Sequence, residues 1–166
     1  MNTKLLYIVG LFVRLLPETS CFRFKRWLYG LSGAKIGRNT RICSSACIIG
    51  NANLTIGDNV WIGPHCFISA SAEVTIGSDV NIAPRVSIIC GTHIIDYDGG
   101  SIAGEGISQD IVIKDGCWLC ANSTILGSSV IGKKSIVGAG AITKGVYNDN
   151  QLLVGVIAKQ RPLKKQ

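Results

Sequence analysis

Residues 54–76 read LTIGDNVWIGPHCFISASAEVTI, and within them an isoleucine returns every six positions, at Ile56, Ile62 and Ile68. Four residues after each of these isoleucines stands a residue no larger than valine: Val60, Cys66 and Ala72. Glycine follows two of the isoleucines, where a tight corner favours a residue without a Cβ. The repeating unit is therefore a short strand followed by a turn.

This hexad occurs fourteen times along the chain. Its aliphatic positions are Ile36, Ile42, Ile48, Ile56, Ile62, Ile68, Ile76, Ile82, Ile88, Ile113, Leu119, Ile125, Ile131 and Val137. A six-residue period is typical of a parallel β-helix, in which three hexads make one triangular coil. Coils stack at the strand spacing of about 4.8 Å, and the aliphatic side chains fill the interior. The sequence therefore predicts an all-β fold, a parallel β-helix of about five coils.

The repeat is interrupted once. The step between equivalent isoleucines is 20 residues from Ile56 to Ile76 but 37 residues from Ile76 to Ile113. The 17 additional residues are 94–110, a glycine-rich and acidic segment. Long loops in compact domains are often functional. We expect a loop extruded from one corner of the β-helix, starting directly after His93.

The ends of a solenoid need covering because their strand edges and core are open to solvent. We therefore expect a helical N-terminal cap in residues 1–35, the β-helix with its inserted loop in residues 36–145, and a C-terminal tail in residues 146–166. An apolar run near the N-terminus ends at Arg14, which makes it too short to span a bilayer. Pro17 separates two short predicted helices.

The net charge of +7 is unevenly distributed. Residues 1–41 hold eight bases and one acid, residues 42–132 two bases and eight acids, and residues 133–166 seven bases and one acid. The basic C-terminal segment is either a solvated tail or a site for a ligand with several phosphates. Residues 1–30 are expected to pack as a cap, and peripheral contact with an anionic membrane is compatible with that packing. No nucleic-acid partner is expected, because neither basic segment carries a known motif.

The seven cysteines are unpatterned. Cys66 and Cys117 occupy the small interior position of the hexad, where a thiol acts as a small apolar side chain. The chain has two histidines and one C-x-x-C, so no metal site is expected. An odd number of cysteines without a pattern is typical of reduced thiols and so indicates a cytoplasmic protein. A peripheral position at the inner face of the cell membrane is compatible with that localisation.

The two histidines stand in different settings. His65 lies on a turn of a regular coil, where a polar residue is usually just solvated. His93 is the last residue before the inserted loop, so its ring is expected to point outward beside that loop. Histidine is the side chain best suited to accept a proton near neutral pH. His93 is therefore the candidate general base.

Four segments carry a family resemblance: GTHIID at 91–96, AGEGIS at 103–108, DGCWLCANSTIL at 115–126 and VGAGAITK at 137–144. With the hexads, they resemble the hexapeptide-repeat acyltransferases of the galactoside and maltose acetyltransferase type. The relatives in surface-polysaccharide and colanic-acid biosynthesis are more similar still. The resemblance implies a left-handed β-helix, a homotrimer, and acetyl-CoA bound as co-substrate between neighbouring β-helices.

The resemblance also implies roles for individual residues. The histidine that corresponds to His93 removes a proton from an acceptor hydroxyl, which then attacks the thioester directly. Asp96 or Asp98 is a candidate to orient the imidazole. The resemblance implies that the CoA groove is lined by Trp118, Ala121, Ala139, Thr143, Lys144 and Lys159. Arg161 lies near Lys159 in the sequence and is expected to contact the CoA phosphates with Lys144 and Lys159.

The chain also departs from the family. Thr143 stands where a second aliphatic residue is usual, so a register shift is expected there, and Ile157 replaces the usual proline. The side chains that hold the sugar in galactoside enzymes have no clear counterparts in residues 62–73, which implies a different acceptor. We expect O-acetylation of a sugar hydroxyl in surface polysaccharide biosynthesis. The alternatives are N-acetylation of an amino sugar and a non-enzymatic β-helix scaffold.

Two further chemistries share parts of this pattern. Cys90 and His93 could form a nucleophile and base pair, but nothing in the sequence marks Cys90 as a reactive thiol. A metal site of the γ-carbonic anhydrase type uses the same fold but needs three histidines. Both are disfavoured relative to direct acetyl transfer.

Overall fold

The computed structural model describes residues 1–156 and the backbone of residues 159–162. The helices are α1, Thr3–Arg14, and α2, Phe22–Leu31. The strands are β1 Lys35–Ile36, β2 Arg41–Ile42, β3 Cys47–Gly50, β4 Leu54–Ile56, β5 Trp61–Ile62, β6 Phe67–Ala70, β7 Val74–Ile76, β8 Asn81–Ile82, β9 Ser87–Ile89, β10 Gly91–Ile95, β11 Ala103–Ser108, β12 Ile111–Ile113, β13 Trp118–Leu119, β14 Thr124–Leu126, β15 Val130–Ile131, β16 Ile136–Val137, β17 Ile142–Thr143, β18 Gln151–Val154 and β19 Lys159–Pro162.

Consecutive strands of the repeat go to three different parallel sheets. Face 1 contains β1, β4, β7, β12 and β15; face 2 contains β2, β5, β8, β13, β16 and β18; face 3 contains β3, β6, β9, β14 and β17. On face 2, β19 adds an antiparallel strand to β18. The predicted β-helix with a helical N-terminal cap is confirmed. We name the three edges corner 1–2, corner 2–3 and corner 3–1, after the faces they join.

The stack has six levels, one more than the hexads indicate. Bridges from Val130 to Val146 and from Ile142 to Val156 extend faces 1 and 3 beyond the fifth level. The hexad count misses this level because its interior residue on face 1 is an aromatic, Tyr147, which stands only four residues after the interior Thr143. Residues 146–156, expected only as part of a tail, thus complete the top of the β-helix.

The interior is built from columns of aliphatic side chains held in register. On face 2, Ile42 pairs with Ile62, Ile62 with Ile82, and Ile82 with Leu119, and all four are buried. This packing follows from the hexad, because side chains at alternate positions of a strand point to the same side. Because the interior side chains are held in register, the residues between them in each strand point outward at fixed positions.

The register shift expected at Thr143 does not occur. Ile125 pairs with Thr143, so the threonine takes the interior position that isoleucine holds in earlier levels. Its side chain is fully buried, and its Oγ1 lies 3.3 Å from the Oγ of Ser129. A hydrogen-bonded hydroxyl pair is tolerated there because each polar atom has a partner.

The two helices cover the open edge of the first level. The N-terminal amine donates hydrogen bonds to the carbonyls of Asn51 and Ala52. The buried ammonium of Lys25 donates to the carbonyls of Pro17, Glu18 and Ile42, at 2.9, 2.9 and 3.3 Å. These bonds tie the cap to backbone carbonyls of the linker, of β2 and of the turn after β3. No helix in the described part of the chain is long and apolar enough to cross a membrane.

The inserted segment leaves the β-helix at corner 3–1, between the third and fourth levels. It was expected as a loop over residues 94–110, but it forms an antiparallel hairpin of β10 and β11. The hairpin begins at Gly91 and therefore includes His93. Glycines at 99 and 100 lie in the turn between the strands, where they make a reversal of the chain easy.

Candidate active site

His93 lies on β10 with its side chain exposed at the base of the hairpin. Its Nδ1 is 2.8 Å from the carbonyl oxygen of Gly104, on the opposite strand. A carbonyl can only accept a hydrogen bond, so the contact requires the proton to be on Nδ1 in the neutral ring. The lone pair is then on Nε2. This tautomer leaves Nε2 free to take a proton from a bound molecule.

The glycines of β11 make this contact sterically feasible. A Cβ at Gly104 would lie 2.7 Å from the Cβ of Asp96 and 3.0 Å from the carbonyl oxygen of Ile94. Only glycine lets the Gly104 carbonyl approach this closely without a shift of the hairpin. Gly106 pairs directly with His93 and brings no side chain beside the ring. The imidazole is therefore fixed at one nitrogen and uncrowded by its cross-strand neighbour.

Asp96 contacts its own turn. Its Oδ1 accepts hydrogen bonds from the backbone N–H groups of Asp98 and Gly99, at 3.1 and 2.9 Å. The imidazole of His93 is held by Gly104, so the orienting contact expected from Asp96 or Asp98 is made by a backbone carbonyl. The Asp96 carboxylate therefore stabilises the turn of the hairpin.

Sequence reasoning missed a pair of hydroxyls near the base. Ser108 Oγ donates to Ser71 Oγ at 2.8 Å and ties the end of β11 to corner 3–1 of the second level. Ser108 pairs with Gly91, two residues before His93 on the same side of the hairpin. No pattern in the sequence singles out Ser71, because the contact bridges 37 residues.

The thiol of Cys90 is unsuited to nucleophilic attack. It is buried in the β-helix and lies 3.7 Å from the carbonyl oxygen of Ala72. Burial raises the pKa of Cys90, because a thiolate is poorly solvated there. The arrangement of Cys90 and His93 therefore does not favour a nucleophile and base pair.

The residues expected along the CoA groove are spread over the upper levels. Trp118 starts β13 on face 2, with 51% of its surface exposed. Ala121 and Ala139 lie on corner 2–3 in adjacent levels, where Gly140 N donates to the Ala121 carbonyl at 3.0 Å. Lys144 is exposed at corner 3–1, and its backbone N–H donates to the hydroxyl of Tyr147 at 3.1 Å.

One residue of this set is corrected by the structure, and two others stay predictions. The Thr143 side chain has no exposed surface, since it fills the interior position paired with Ile125, so it cannot contact a ligand outside the β-helix. The side chains of Lys159 and Arg161 lie outside the described residues, as does Ile157. Their contribution to a phosphate site stays a prediction.

A single chain does not bring His93 together with Trp118, Ala121 and Ala139. His93 and Lys144 lie at corner 3–1, whereas Trp118, Ala121 and Ala139 lie on face 2 and corner 2–3. One whole face separates the two edges, about 15–20 Å at the rise of an extended strand.

The second histidine lies on a different corner from His93. His65 lies at corner 2–3 with φ of +57°, as a turn residue. Within the described part of the chain, no cluster of three His, Cys, Asp or Glu side chains could hold a metal ion.

Neither a scan against protein-family models nor a search of curated proteins gives a match. Solved structures do match over nearly the whole chain. The hexapeptide-repeat acetyltransferase VCA0836 from Vibrio cholerae O1 biovar eltor, solved with acetyl-CoA, is 24% identical with a TM-score of 0.69. The match covers 98% of this chain and 89% of that one.

Two other structures extend the comparison. A maltose O-acetyltransferase from Clostridium difficile 630 is 16% identical with a TM-score of 0.70, covering 99% of this chain and 87% of that one. AntD, an N-acyltransferase from Bacillus cereus solved with dTDP and 3-hydroxybutyryl-CoA, is 19% identical with a TM-score of 0.68, covering 90% and 92%. The chain therefore has the β-helical fold of the hexapeptide-repeat acyltransferases, as the sequence resemblance predicts.

Proposed function

We propose that the protein is an acetyl-CoA-dependent O-acetyltransferase that acts on a sugar hydroxyl. The observation that carries the proposal is the exposed His93, whose Nδ1 is held by the Gly104 carbonyl so that Nε2 can accept a proton. The fold it shares with acetyltransferases solved with acetyl-CoA supports the choice of co-substrate.

His93 acts as the general base. Its Nε2 takes the proton of the acceptor hydroxyl while the hydroxyl oxygen attacks the thioester carbon. The resulting imidazolium returns that proton to the departing sulfur of CoA, so the histidine ends as it began and no acyl-enzyme forms. General base catalysis of this kind contributes about 10²- to 10⁴-fold to the rate. Backbone N–H groups near the thioester carbonyl would stabilise its developing negative charge.

The active form is a homotrimer in this proposal. The base at corner 3–1 is separated by a whole face of the same chain from Trp118 on face 2 and from Ala121 and Ala139 at corner 2–3. A neighbouring copy that brings its face 2 beside corner 3–1 would complete the site. Binding both substrates between two copies also supplies the proximity on which direct transfer depends.

Trp118, Ala121, Ala139 and Lys144 would line the CoA groove. A half-exposed indole beside two small alanine side chains offers an apolar wall along which a long, thin ligand can lie. Lys144 supplies positive charge, and Lys159 and Arg161 would add to it for the CoA phosphates.

The acceptor is proposed to be a sugar or glycan of surface polysaccharide biosynthesis. Cytoplasmic localisation, with a peripheral position at the inner face of the membrane through residues 1–30, belongs to the same proposal. The likeness to AntD, crystallised with dTDP-4-amino-4,6-dideoxyglucose and CoA, favours N-acylation of an amino sugar as the second candidate. The two products differ chemically, since mild alkali removes an O-acetyl ester and leaves an N-acetyl amide.

The decisive experiment measures CoA release from acetyl-CoA with a panel of free, nucleotide-linked and lipid-linked sugars. His93→Asn should lower the rate by about 10²- to 10⁴-fold while acetyl-CoA binding persists. His65→Asn is the matched control, because asparagine tolerates the positive φ of that turn, and it should keep the wild-type rate. Equal transfer by wild type and His93→Asn would refute the mechanism. Light scattering should give about three times 17.7 kDa.

A further inference from the structure

The N-terminal helices expose apolar surface on the side that faces away from the β-helix. In α1 the buried residues Leu6, Val9 and Val13 form one stripe against the first level. The opposite stripe holds five large apolar side chains that are 49% to 83% exposed: Tyr7, Ile8, Leu11, Phe12 and Leu15. A monomeric soluble protein rarely leaves such a contiguous apolar face uncovered.

Helix α2 continues this face. Its buried residues are Lys25 and Tyr29, and the opposite side carries Phe24, Trp27 and Leu31, each about half exposed. The rings of Phe24 and Trp27 are stacked with centroids 5.7 Å apart. Because α1 and α2 contact each other, the eight exposed side chains lie on neighbouring helices, and we call them together the cap surface.

The cap surface is surrounded by positive charge. Lys4, Arg14, Arg23 and Arg26 lie on the two helices, and neither helix contains an acidic residue. The acid between the helices, Glu18, accepts hydrogen bonds from the backbone and hydroxyl of Ser45 and so faces the β-helix. The positive rim is therefore not neutralised within the cap.

A groove enlarges the apolar area toward face 3. It lies between α1 and β3, has a volume of about 170 Å³, and is lined mainly by apolar side chains. Tyr7 and Leu11 of the cap surface form one wall, Ile49 lies on the other, and Arg14 also lines the groove. The cap surface thus ends in a recess large enough for apolar groups of a bound lipid.

We infer that the cap surface is a docking surface for a lipid bilayer that contains anionic lipids. Aromatic and aliphatic side chains with a basic rim are what a helix lying in the membrane interface presents. Anionic headgroups complement the uncompensated Lys and Arg side chains. A second copy of the chain is the less suitable occupant, because pairing two cap surfaces would place two positive rims side by side.

This placement has a consequence that rests on the proposed function. The helices close the first level, so the β-helix stands end-on upon the bilayer. His93 emerges from the third level, two strand spacings or about 10 Å further along, and α1 and α2 add about 10 Å. The base would then lie about 20 Å from the headgroups, within reach of the sugars of a lipid-linked or membrane-attached glycan.

Vesicle flotation without acyl-CoA tests the docking separately from catalysis. Wild type should float with vesicles of phosphatidylcholine and phosphatidylglycerol at 7:3 and remain unbound with phosphatidylcholine alone. Phe12→Ser/Leu15→Ser should weaken the partitioning at least about tenfold, because two exposed apolar groups leave the interface. Val146→Ser/Val156→Ser removes apolar side chains of 76% and 80% exposure at the other end of the β-helix and should bind like wild type.

A charge-changing pair keeps the test informative if the apolar variant misfolds. Arg23→Gln/Arg26→Gln should weaken binding about fivefold per residue, and added salt should have the same effect. The matched control Arg38→Gln/Arg85→Gln removes two bases outside the cap and should bind like wild type.

Two outcomes would overturn the inference: wild type that does not float, and wild type that binds neutral and anionic vesicles equally. In the first case, loss of oligomer mass by Phe12→Ser/Leu15→Ser in light scattering would identify a second copy of the chain as the occupant of the cap surface. Acetyl transfer to a free sugar should be unchanged in all cap variants, so a failure of docking is distinguishable from a failure of the proposed activity.

Discussion

The Nδ1 atom of His93 lies 2.8 Å from the carbonyl oxygen of Gly104, on the opposite strand of the hairpin. The tautomer of the ring is thus set by the backbone, without a carboxylate. A carbonyl orients the imidazole but brings no negative charge to stabilise the imidazolium. The alignment of the proposed base therefore depends on how closely the two strands of the hairpin approach.

Gly104→Ala should impair transfer without changing acetyl-CoA affinity. Its Cβ would stand 2.7 Å from the Cβ of Asp96, so β11 must move and the carbonyl that holds His93 moves with it. Displacement of a base by about 1 Å can cost about 10²-fold, so we expect a 10- to 100-fold fall in kcat. Steady-state kinetics and calorimetry with acetyl-CoA measure the two effects.

Gly100→Ala is the matched control, since an added Cβ there meets nothing within 4 Å. It should leave kcat within about twofold of wild type. Equal losses in both variants would mean that the hairpin tolerates no added side chain anywhere, and the specific role of Gly104 would be wrong.

Substitutions at Asp96 separate two roles for this carboxylate. Its Oδ1 accepts two backbone hydrogen bonds in its own turn, and the side-chain oxygen of asparagine can accept the same bonds. We therefore expect Asp96→Asn to retain kcat within about threefold, whereas Asp96→Ala loosens the hairpin and lowers kcat about tenfold.

Asp96→Asn would instead show a large loss of kcat if Asp96 oriented the imidazole. Replacing such a carboxylate by an amide favours the wrong tautomer and costs about 10⁴-fold in other enzymes with a histidine base. A kcat loss of that size in Asp96→Asn, measured across the pH range, would contradict the assignment to Gly104. Asp98→Asn is the control within the same turn.

The repeat made the β-helix predictable because each hexad has an aliphatic residue that marks a strand and a small residue, four positions later, that allows the corner. The position of His93 beside the insertion followed from the same spacing, although the hairpin begins at Gly91, two residues before it. The sixth level could not be predicted in this way, because its interior residue on face 1 is the aromatic Tyr147, only four residues after the interior Thr143.

The environment of the base was less accessible to sequence reasoning. The partner of His93 is a glycine carbonyl, and a backbone acceptor leaves no chemical signature in a sequence. The contact between Ser71 and Ser108 depends on how the hairpin leaves corner 3–1. The placement of Thr143 in the interior required the observed register with Ile125, because the residue type alone suits either side of a strand.

Trp118→Ala should weaken acetyl-CoA binding if this indole lines the proposed groove. Loss of an aromatic side chain from a ligand contact typically costs about 2 kcal/mol or more, which is about 30-fold in Kd. Trp61 is the control, because its ring already contacts Phe22 and Arg41 of the same chain. Trp61→Ala should destabilise the fold while leaving the Kd for acetyl-CoA unchanged, as calorimetry would show.

Lys25→Met should destabilise the cap. The ammonium is fully buried and donates to three backbone carbonyls of the linker and of β2, which methionine leaves without these donors. We expect a loss of about 2–4 kcal/mol in the free energy of unfolding. Lys35→Met is the control on exposed surface and should change this free energy by less than about 0.5 kcal/mol. Chemical denaturation at neutral pH measures both variants.

The difference between wild type and Lys25→Met should also depend on pH. Burial lowers the pKa of Lys25 below 10.5, and the opposing influences of Cys43 and Glu18 are smaller. Between the lowered pKa and 10.5 the unfolded chain therefore holds more protons at this site than the folded chain, so raising the pH favours the folded state. Over this pH window, chemical denaturation should show that the free energy of unfolding of wild type rises relative to that of Lys25→Met. If it falls relative to the variant as the pH rises, the folded protein raises the pKa of Lys25 instead of lowering it.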